Sequence, residues 1–235
     1  MIYSLKGLIS FIYFLVFTIL MEFDQVEHKL ENPNNSNKGV VLLPGISGNA
    51  LIDPRYNLLS NSLVNANFGF LRFDLWQSVS ELDKMTISEM QDFLDKAFDF
   101  MRHKGFIEIS LIGRGFGGGI VLTYVNPNIK KLVLWSPAIN YCKESNFVFT
   151  KETKLYTFKS FMAIKINKRD LYHINYPVLI LHGTNDEVIS IENSEKIVQE
   201  NPKIILKPIK DSNYSYSNEE WLNKIIEETI SFLKE

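Results

Sequence analysis

A glycine-rich turn between two apolar runs is the feature that most constrains the fold of this chain. The first run, Ile107–Ile112, has the length and composition of a buried β-strand. The next segment, Gly113–Gly119, contains five glycines, and Ile120–Val125 then resumes an apolar pattern that predicts the start of a helix. A strand joined so tightly to a helix is typical of a sheet whose strands run parallel, because each parallel connection needs a crossover.

The glycine spacing resembles the strand–turn–helix motif G-x-S-x-G, in which a serine nucleophile sits on a strained turn. Gly113 and Gly117 occupy the outer positions, but Gly115 stands where the motif has serine. Because glycine adopts positive φ without a β-carbon penalty, we expect Gly115 to keep the turn, relax its strain and remove the nucleophile. The alternative is another glycine-rich strand-to-helix turn, including one that cradles a phosphate. Gly118, however, falls one position early for G-x-G-x-x-G.

Short apolar runs alternate with stretches of helical periodicity along the rest of the chain. Buried strands are predicted at Gly39–Leu43, Phe68–Phe73, Lys131–Trp135, Pro177–Leu181 and Lys203–Pro208, with an edge strand within Phe23–Leu30. Helices are predicted at Tyr56–Val64, Met90–Met101, Ile191–Glu200 and Trp221–Leu233. This alternation predicts an α/β fold with a mostly parallel, doubly wound sheet flanked by helices.

Ligands of open parallel sheets bind outside the carboxyl ends of the strands. Four predicted loops share that rim: Pro44–Asn49, Asp74–Gln77, Arg114–Gly117 and His182–Val188. These loops therefore contain most of the candidate functional residues.

Length and composition predict one domain, residues 22–235, with a less regular cap region at 138–176. The chain has 235 residues, of which 46% are hydrophobic, and this is enough for one substantial core. A net charge of −2 and the absence of a Lys/Arg stripe argue against a nucleic-acid partner. The single cysteine, Cys142, excludes an internal disulfide. No His, Asp or Glu spacing matches a metal motif, so we expect neither a metal nor another cofactor.

The amino-terminal segment, residues 1–21, is hydrophobic and nearly long enough to span a membrane. Lys6 precedes the apolar run and Glu22 follows it, which favours an inside amino terminus and a membrane-associated domain outside the cytoplasm. If Met21 is the true start, the segment is a spurious extension and the domain is cytoplasmic. Cleavage as a signal peptide is less well supported, because no A-x-A-like site ends the run.

With these loops placed, the chain resembles a small α/β-hydrolase, similar to esterase and acyl-peptidase-like members with a short cap. The likeness covers roughly residues 39–233, and its most specific piece is PVLILHGTNDEVIS. In that family this turn carries the triad acid, which falls on Asp186. The segment KPIKDSNYSYSNEEW resembles the one that carries the triad histidine, whose position falls on Tyr214. The resemblance also implies oxyanion-hole N–H groups at Ile46 and Phe116.

A serine triad needs a nucleophile, a base that takes its proton and an acid that orients the base. Gly115 has no side chain, and a phenol, with an unperturbed pKa of about 10, is a poor general base. Asp186 would then lack its usual partner. The oxyanion loop at Gly45 and the aromatic ring of Trp76 still predict a pocket for an acyl or carboxylate small molecule.

Three hypotheses follow for the function of the chain. The first is a catalytically degenerate homologue of the hydrolases, a non-catalytic binding or regulatory protein with a retained pocket. The second is a hydrolase of ester, amide or thioester bonds that uses non-standard residues. The third is an interaction module tethered to a membrane by residues 1–21. Nothing in the sequence indicates an oligomeric state.

Overall fold

A computed structural model of the protein describes residues 23, 25–82, 84–141, 164–166 and 168–235. The hydrophobic segment predicted at residues 1–21 lies outside these ranges, as do Cys142 and most of the predicted cap region. Among the residues that are described, no helix combines the length and apolar character needed to cross a membrane.

The main sheet has seven strands in the spatial order β1-β3-β2-β4-β5-β8-β9. Every neighbouring pair is parallel except β1 with β3, and β1 is the antiparallel edge strand. The strands are β1 His28–Glu31, β2 Lys38–Leu43, β3 Gly69–Phe73, β4 Glu108–Arg114, β5 Ile129–Trp135, β8 Val178–Gly183 and β9 Ile204–Ile209. The predicted mostly parallel α/β sheet is therefore confirmed.

Helices cover both faces of this sheet, because the side chains of a strand alternate between the two faces. The helices are α1 Pro54–Asn65, α2 Val79–Leu82, α3 Ile87–His103, α4 Gly115–Thr123, α5 Ile191–Glu200 and α6 Glu219–Lys234. Val41 and Leu43 of β2 join one apolar cluster with α3 and α4, whereas Val40 and Leu42 join another with α1 and α6. The sheet is thus buried on both sides, as a doubly wound fold requires.

The helix after the glycine turn begins earlier than the sequence pattern suggested. We expected a turn over Gly113–Gly119 and a helix from Ile120, but α4 starts at Gly115 and ends at Thr123. The glycines serve close packing within the helix rather than a longer turn. A β-carbon on Gly117 would overlap the carbonyl oxygens of Leu43 and Pro44, and one on Gly118 would come within 3.0 Å of Pro137.

Only the two ends of the predicted cap region, 138–176, belong to the described structure. Its first end forms β6, Ile139–Tyr141, which pairs in parallel with β7, Ile164–Ile166. The β-prone residues of Leu155–Ile166 predict a small hairpin or flap. Residues 155–163 of that segment lie outside the described residues. A 3₁₀ helix, Lys168–Leu171, then leads back toward the main sheet.

The sequence Thr86-Ile87-Ser88-Glu89 predicts a capping box, and the start of α3 confirms it. The Thr86 hydroxyl accepts a hydrogen bond from the Glu89 N–H at 3.1 Å, and a Glu89 carboxylate oxygen accepts one from the Thr86 N–H at 2.6 Å. Two N–H groups that the helix itself leaves without partners are satisfied in this way. The helix ends beside Gly105, whose φ of +94° suits a glycine after a helix end.

We expect Thr86→Ala to lower the free energy of unfolding by about 1 kcal/mol, because it removes the acceptor of the Glu89 N–H. Thr86→Ser keeps a hydroxyl and is the matched control, with a much smaller loss. Urea unfolding followed by circular dichroism measures both variants. Equal losses for alanine and serine would show that the hydroxyl contributes nothing to the helix start.

Candidate active site

Gly115 lies at the junction of β4 and α4, at the carboxyl-end rim of the sheet. Its φ is +52°, in the left-handed region that side chains with a β-carbon rarely adopt. Gly113 fits the same tight junction, since a β-carbon there would lie within 2.8 Å of the Gly118 Cα. The backbone at Gly115 is therefore the sharp strand-to-helix turn that the motif predicts, without the serine.

Tyr214 fills the space that a side chain at Gly115 would need. A β-carbon built on Gly115 would overlap the Tyr214 hydroxyl, and it would lie 3.8 Å from the Gly45 Cα. The same hydroxyl is 3.8 Å from the position of a β-carbon on Gly45. The structure thus brings together the predicted nucleophile position, the predicted histidine position and the oxyanion loop.

The loop between β9 and α6 holds Tyr214 between two buried residues, Ser212 and Tyr216. The Tyr216 hydroxyl lies 2.7 Å from the Ser136 hydroxyl and donates to the Leu181 carbonyl at 3.2 Å. Tyr216 has a φ of +49°, so a bulky residue is held in a sparsely populated conformation. These anchors place the half-buried Tyr214 side chain over the end of β4.

Arg114, which directly precedes Gly115, lies against the Tyr214 ring. Its guanidinium carbon is 4.9 Å from the ring centroid, and its Nη2 donates to the Tyr214 carbonyl at 3.4 Å. The residue is only 5% exposed, and the Tyr56 hydroxyl is within hydrogen-bonding reach of the guanidinium. Burial acts to lower the pKa of Arg114, but neighbouring tyrosine oxygens and the Asp53 carboxylate outweigh it and raise the pKa. The guanidinium is therefore charged at neutral pH.

Asp186, the predicted triad acid, follows β8 and does not contact Tyr214 in the described structure. Its Oδ1 accepts hydrogen bonds from the N–H groups of Val188 at 2.9 Å and Ile189 at 2.8 Å. Its Oδ2 lies 3.2 Å from Nε2 of His182. Burial raises the pKa of Asp186, but the nearby His182 imidazole, the N–H groups of Ile189 and Val188 and the Ser136 hydroxyl outweigh it and lower the pKa.

His182 is fully buried and engaged at both ring nitrogens. Nδ1 lies 2.8 Å from the Ser194 hydroxyl, and Nε2 lies 2.9 Å from the Ile189 carbonyl. Two oxygen acceptors face Nε2, so this nitrogen carries a hydrogen. The contacts run from a hydroxyl to an imidazole to a carboxylate, as in a serine triad, through Ser194, His182 and Asp186. All three side chains are buried, so a substrate at the rim cannot reach them. The contacts among these three side chains hold α5 against β8, which is a structural role.

The remaining predicted residues form the wall next to Gly115. The Trp76 indole N–H donates to the Ile46 carbonyl at 3.1 Å, and the Trp76 ring meets Phe116 edge to face at 6.1 Å. Phe116 is the second residue of α4, so its N–H belongs to the first turn, where the helix supplies no partner. Trp76 and Phe116 are 1% and 2% exposed, so they support the loop after β2 and offer little surface to a ligand.

A shallow groove of about 570 Å³ adjoins Tyr214 on the same rim. It is lined mainly by polar side chains from the loop after β2, the start of α1 and the loop before α6, including Ser47, Asp53, Arg55 and Ser215. In the parts of the chain that the structure describes, no group of three or more His, Cys, Asp or Glu side chains is placed to hold a metal ion.

Sequence reasoning missed Arg114 and Ser136. Arg114 had a signal, since a charged residue between two motif glycines at the end of a buried strand is unusual. Ser136 had none: it follows β5 with a φ of +40° and contacts Tyr216, which lies 80 residues later.

No protein-family model matches the sequence, and no curated protein matches it. Solved structures match closely in shape. Est1E from Butyrivibrio proteoclasticus with bound ferulic acid has a TM-score of 0.71 at 18% identity, over 88% of this chain and 94% of that one. A monoacylglycerol lipase from Paleococcus ferrophilus has a TM-score of 0.67 at 19% identity, over 88% and 98%. A dienelactone hydrolase from Anabaena variabilis has a TM-score of 0.67 at 17% identity, over 88% and 89%.

This chain has the α/β-hydrolase fold. Likeness at these identities concerns the fold, and activity must be argued from the site itself. Within the α/β-hydrolase fold, the β4–α4 turn is the elbow, and the loop after β2 lies beside it. Both are present here, with Gly115 in the turn and the Tyr214 hydroxyl beside it.

We expect Gly115→Ser to lower the free energy of unfolding for two reasons. Positive φ costs a residue with a β-carbon on the order of 1–3 kcal/mol, and the new side chain also overlaps the Tyr214 hydroxyl. Gly105→Ser is the matched control, because Gly105 has φ of +94° but nothing within 4 Å of an added β-carbon. Thermal and urea unfolding should show a larger loss at Gly115 than at Gly105.

The overlap is tested separately by combining Gly115→Ser with Tyr214→Ala. The double variant should recover the part of the loss that exceeds the Gly105→Ser value, because only the backbone cost remains. If Gly115→Ser and Gly105→Ser are equally destabilised, Tyr214 does not occupy the elbow in solution.

The lowered pKa of Asp186 predicts a pH dependence of stability. The charged carboxylate stabilises the folded state above the unfolded pKa of about 3.9, and this contribution is lost as the pH falls through the lower folded pKa. The Asp186→Asn variant should therefore have a lower free energy of unfolding than the unmodified protein at pH 7. Below about pH 4 its free energy of unfolding should fall less than that of the unmodified protein. Urea unfolding from pH 7 to pH 2.5 measures this effect.

Gly105→Ser serves as the control for the acid series, since it lowers stability without changing a titrating group. Its stability curve should run parallel to that of the unmodified protein. An Asp186→Asn curve that is also parallel would contradict the assignment of a lowered pKa to this carboxylate.

Proposed function

We propose that this chain is a catalytically degenerate α/β-hydrolase homologue that acts as a non-catalytic binding or regulatory protein. The observation that carries the proposal is the Tyr214 hydroxyl in the space that a nucleophile on Gly115 would use. An elbow without a side chain and filled by a neighbour has no group to form an acyl-enzyme.

The base of a serine triad also lacks a replacement. His182 is the histidine next to the predicted acid, but its two nitrogens bind the Ser194 hydroxyl and the Ile189 carbonyl. The pair of His182 and Asp186 is sealed from the rim by burial. Since triad members act as one unit, the loss of nucleophile and base together removes nearly all of their contribution to the rate.

The binding elements of the fold support a retained ligand site. The first-turn N–H of Phe116 and the Gly45-Ile46 loop lie beside Gly115, and helix N-termini favour negative charge. Arg114 adds a positive charge behind them. We propose that the ligand is a small acyl or carboxylate compound. Est1E binds ferulic acid, itself a carboxylic acid, on a fold of the same shape.

A hydrolase with non-standard residues is the second candidate function. One observation favours it: the Tyr214 hydroxyl lies beside the elbow and the oxyanion loop, close to where a nucleophile belongs. Attack by this oxygen on an ester carbonyl would form an acyl-tyrosine and release the alcohol, which takes up the phenol proton. Water would then hydrolyse the acyl-tyrosine to the acid and return the phenol.

We expect the purified protein to show no labelling by a fluorophosphonate probe and no turnover of p-nitrophenyl acetate above buffer. An active serine esterase is the positive control, and Tyr214→Phe is the matched variant, because it removes only the hydroxyl. Intact mass and peptide mapping report the labelled residue. Stoichiometric labelling of Tyr214, or turnover that Tyr214→Phe abolishes, would reject the non-catalytic proposal in favour of the hydrolase.

A further inference from the structure

The guanidinium of Arg114 is a buried charge that forms no ion pair with any carboxylate in the described part of the chain. Its side chain is 5% exposed, and its Nε has no hydrogen-bond partner among the residues described. Its contacts are the Tyr214 ring, a 3.4 Å bond to the Tyr214 carbonyl and the nearby Tyr56 hydroxyl. Burial raises the pKa of Tyr56, so this phenol is neutral and cannot balance the charge.

Asp53, the carboxylate that raises the pKa of Arg114, already binds another arginine. Asp53 binds Arg55 through Nε at 3.0 and 3.2 Å and through Nη2 at 2.5 Å. Within the described part of the chain, no carboxylate forms an ion pair with Arg114. Buried charges are normally paired, because an uncompensated charge in a low-dielectric interior is costly. Asp53 favours the charged form of Arg114 without a direct ion pair, but the Nε–H of the guanidinium still lacks an acceptor among the described residues. An anion supplied from outside the chain would provide both a direct ion pair and that acceptor.

The position of this charge is the candidate ligand site itself. Nη1 of Arg114 lies 3.3 Å from the site of a β-carbon on Gly45, and α4 begins at the next residue, Gly115. The positive end of α4 and the guanidinium thus meet at the space beside Gly45 and Gly115 that the Tyr214 hydroxyl fills. This space is called the slot below. Two independent features favour an anion at the same point.

Tyr214 covers this slot with few bonds of its own. Its hydroxyl makes no hydrogen bond to any described residue, although it is half-buried against Gly115 and Gly45. Asp211 and Tyr216, on either side of it, are non-glycine residues with φ of +58° and +49°. Such backbone is sparsely populated for residues with a β-carbon. Ser212 and Tyr216 are buried and anchor the loop on either side, whereas Tyr214 itself is only half-buried.

We propose that Tyr214 is a displaceable plug and that the slot beneath it binds a small monocarboxylate through the Arg114 guanidinium. The inference rests on the proposed binding function and names its ligand class. A carboxylate matches the planar fork of a guanidinium with two parallel hydrogen bonds. One negative charge balances the one buried cation, whereas a phosphate dianion would leave excess charge. The β-position of Gly115 is in van der Waals contact with the Gly45 Cα at 3.8 Å, so the ligand takes the space that the Tyr214 side chain leaves when it moves.

The plug lowers the apparent affinity of the site, since the ligand binds only the open form. The apparent dissociation constant is the intrinsic value divided by the open fraction. Removing the phenol with Tyr214→Ala makes the open form permanent and should tighten carboxylate binding by about tenfold or more, if the closed form dominates. Arg114→Gln should weaken it by at least about tenfold.

The test is a titration by NMR and calorimetry with sodium benzoate as the probe, and with benzamide and inorganic phosphate as comparisons. It uses the full chain and its Tyr214→Ala, Arg114→Gln and combined variants. Arg102→Gln is the charge control, because Arg102 is exposed on α3, far from the rim. We expect benzoate to bind Tyr214→Ala more tightly than the unmodified protein. Benzamide and phosphate should bind more weakly than benzoate, and the Arg102 variant should bind like its parent.

Several results would overturn the inference. The first is that benzamide or phosphate binds the Tyr214→Ala variant as tightly as benzoate does. The second is that adding Arg114→Gln to this variant leaves its affinity for benzoate unchanged. The third is that benzoate does not bind the Tyr214→Ala variant at all. If Arg114→Gln fails to fold by circular dichroism, the comparison of benzoate with benzamide on Tyr214→Ala decides alone. If benzoate fails to bind, the fluorophosphonate result still stands and the non-catalytic proposal is unaffected. If the protein turns over esters, the proposed function is rejected, but the measured preference for a carboxylate still stands.

Discussion

The close approach of α4 to the end of the sheet is the constraint on which the candidate site depends. Side chains at Gly113, Gly117 or Gly118 would push the helix away from β4 and from the loop after β2. With glycine at these positions, the helix begins directly at the rim and brings its first N–H groups to the Gly45-Ile46 loop. The rest of the site is arranged around this junction: Trp76 fixes the loop from one side, and Tyr214 covers the junction from above.

The main-sheet strands and the longer helices followed from local patterns, because each of them has its own signal. Apolar runs, a capping box and a glycine helix end lie within a few residues of the elements they define, and α3 and α5 begin and end close to where these signals place them. The start of α4 was the exception. Its glycines suggest a turn locally, but close packing against Leu43 and Pro137 uses them inside a helix.

The site was only partly predictable, because its contacts join distant parts of the chain. The resemblance placed Gly115 and Tyr214 at functional positions, and the structure brings them into contact. It did not reveal the role of Arg114, whose surroundings come from residues 58 positions before it and 100 positions after it. It also placed Asp186 as an acid without a partner, whereas the buried His182 lies next to that carboxylate.

The chain separation between Arg114 and its cover has a consequence for the order of assembly. A ribosome makes the β4–α4 turn 100 residues before it makes Tyr214. Because a domain folds as a unit, the turn waits for the last strands of the sheet, and until then the guanidinium is open to water. The slot closes only after β9 and the following loop have been made and docked. Coverage of the arginine is thus a late event in maturation, and a chain interrupted before that loop would present an uncovered cation at its rim.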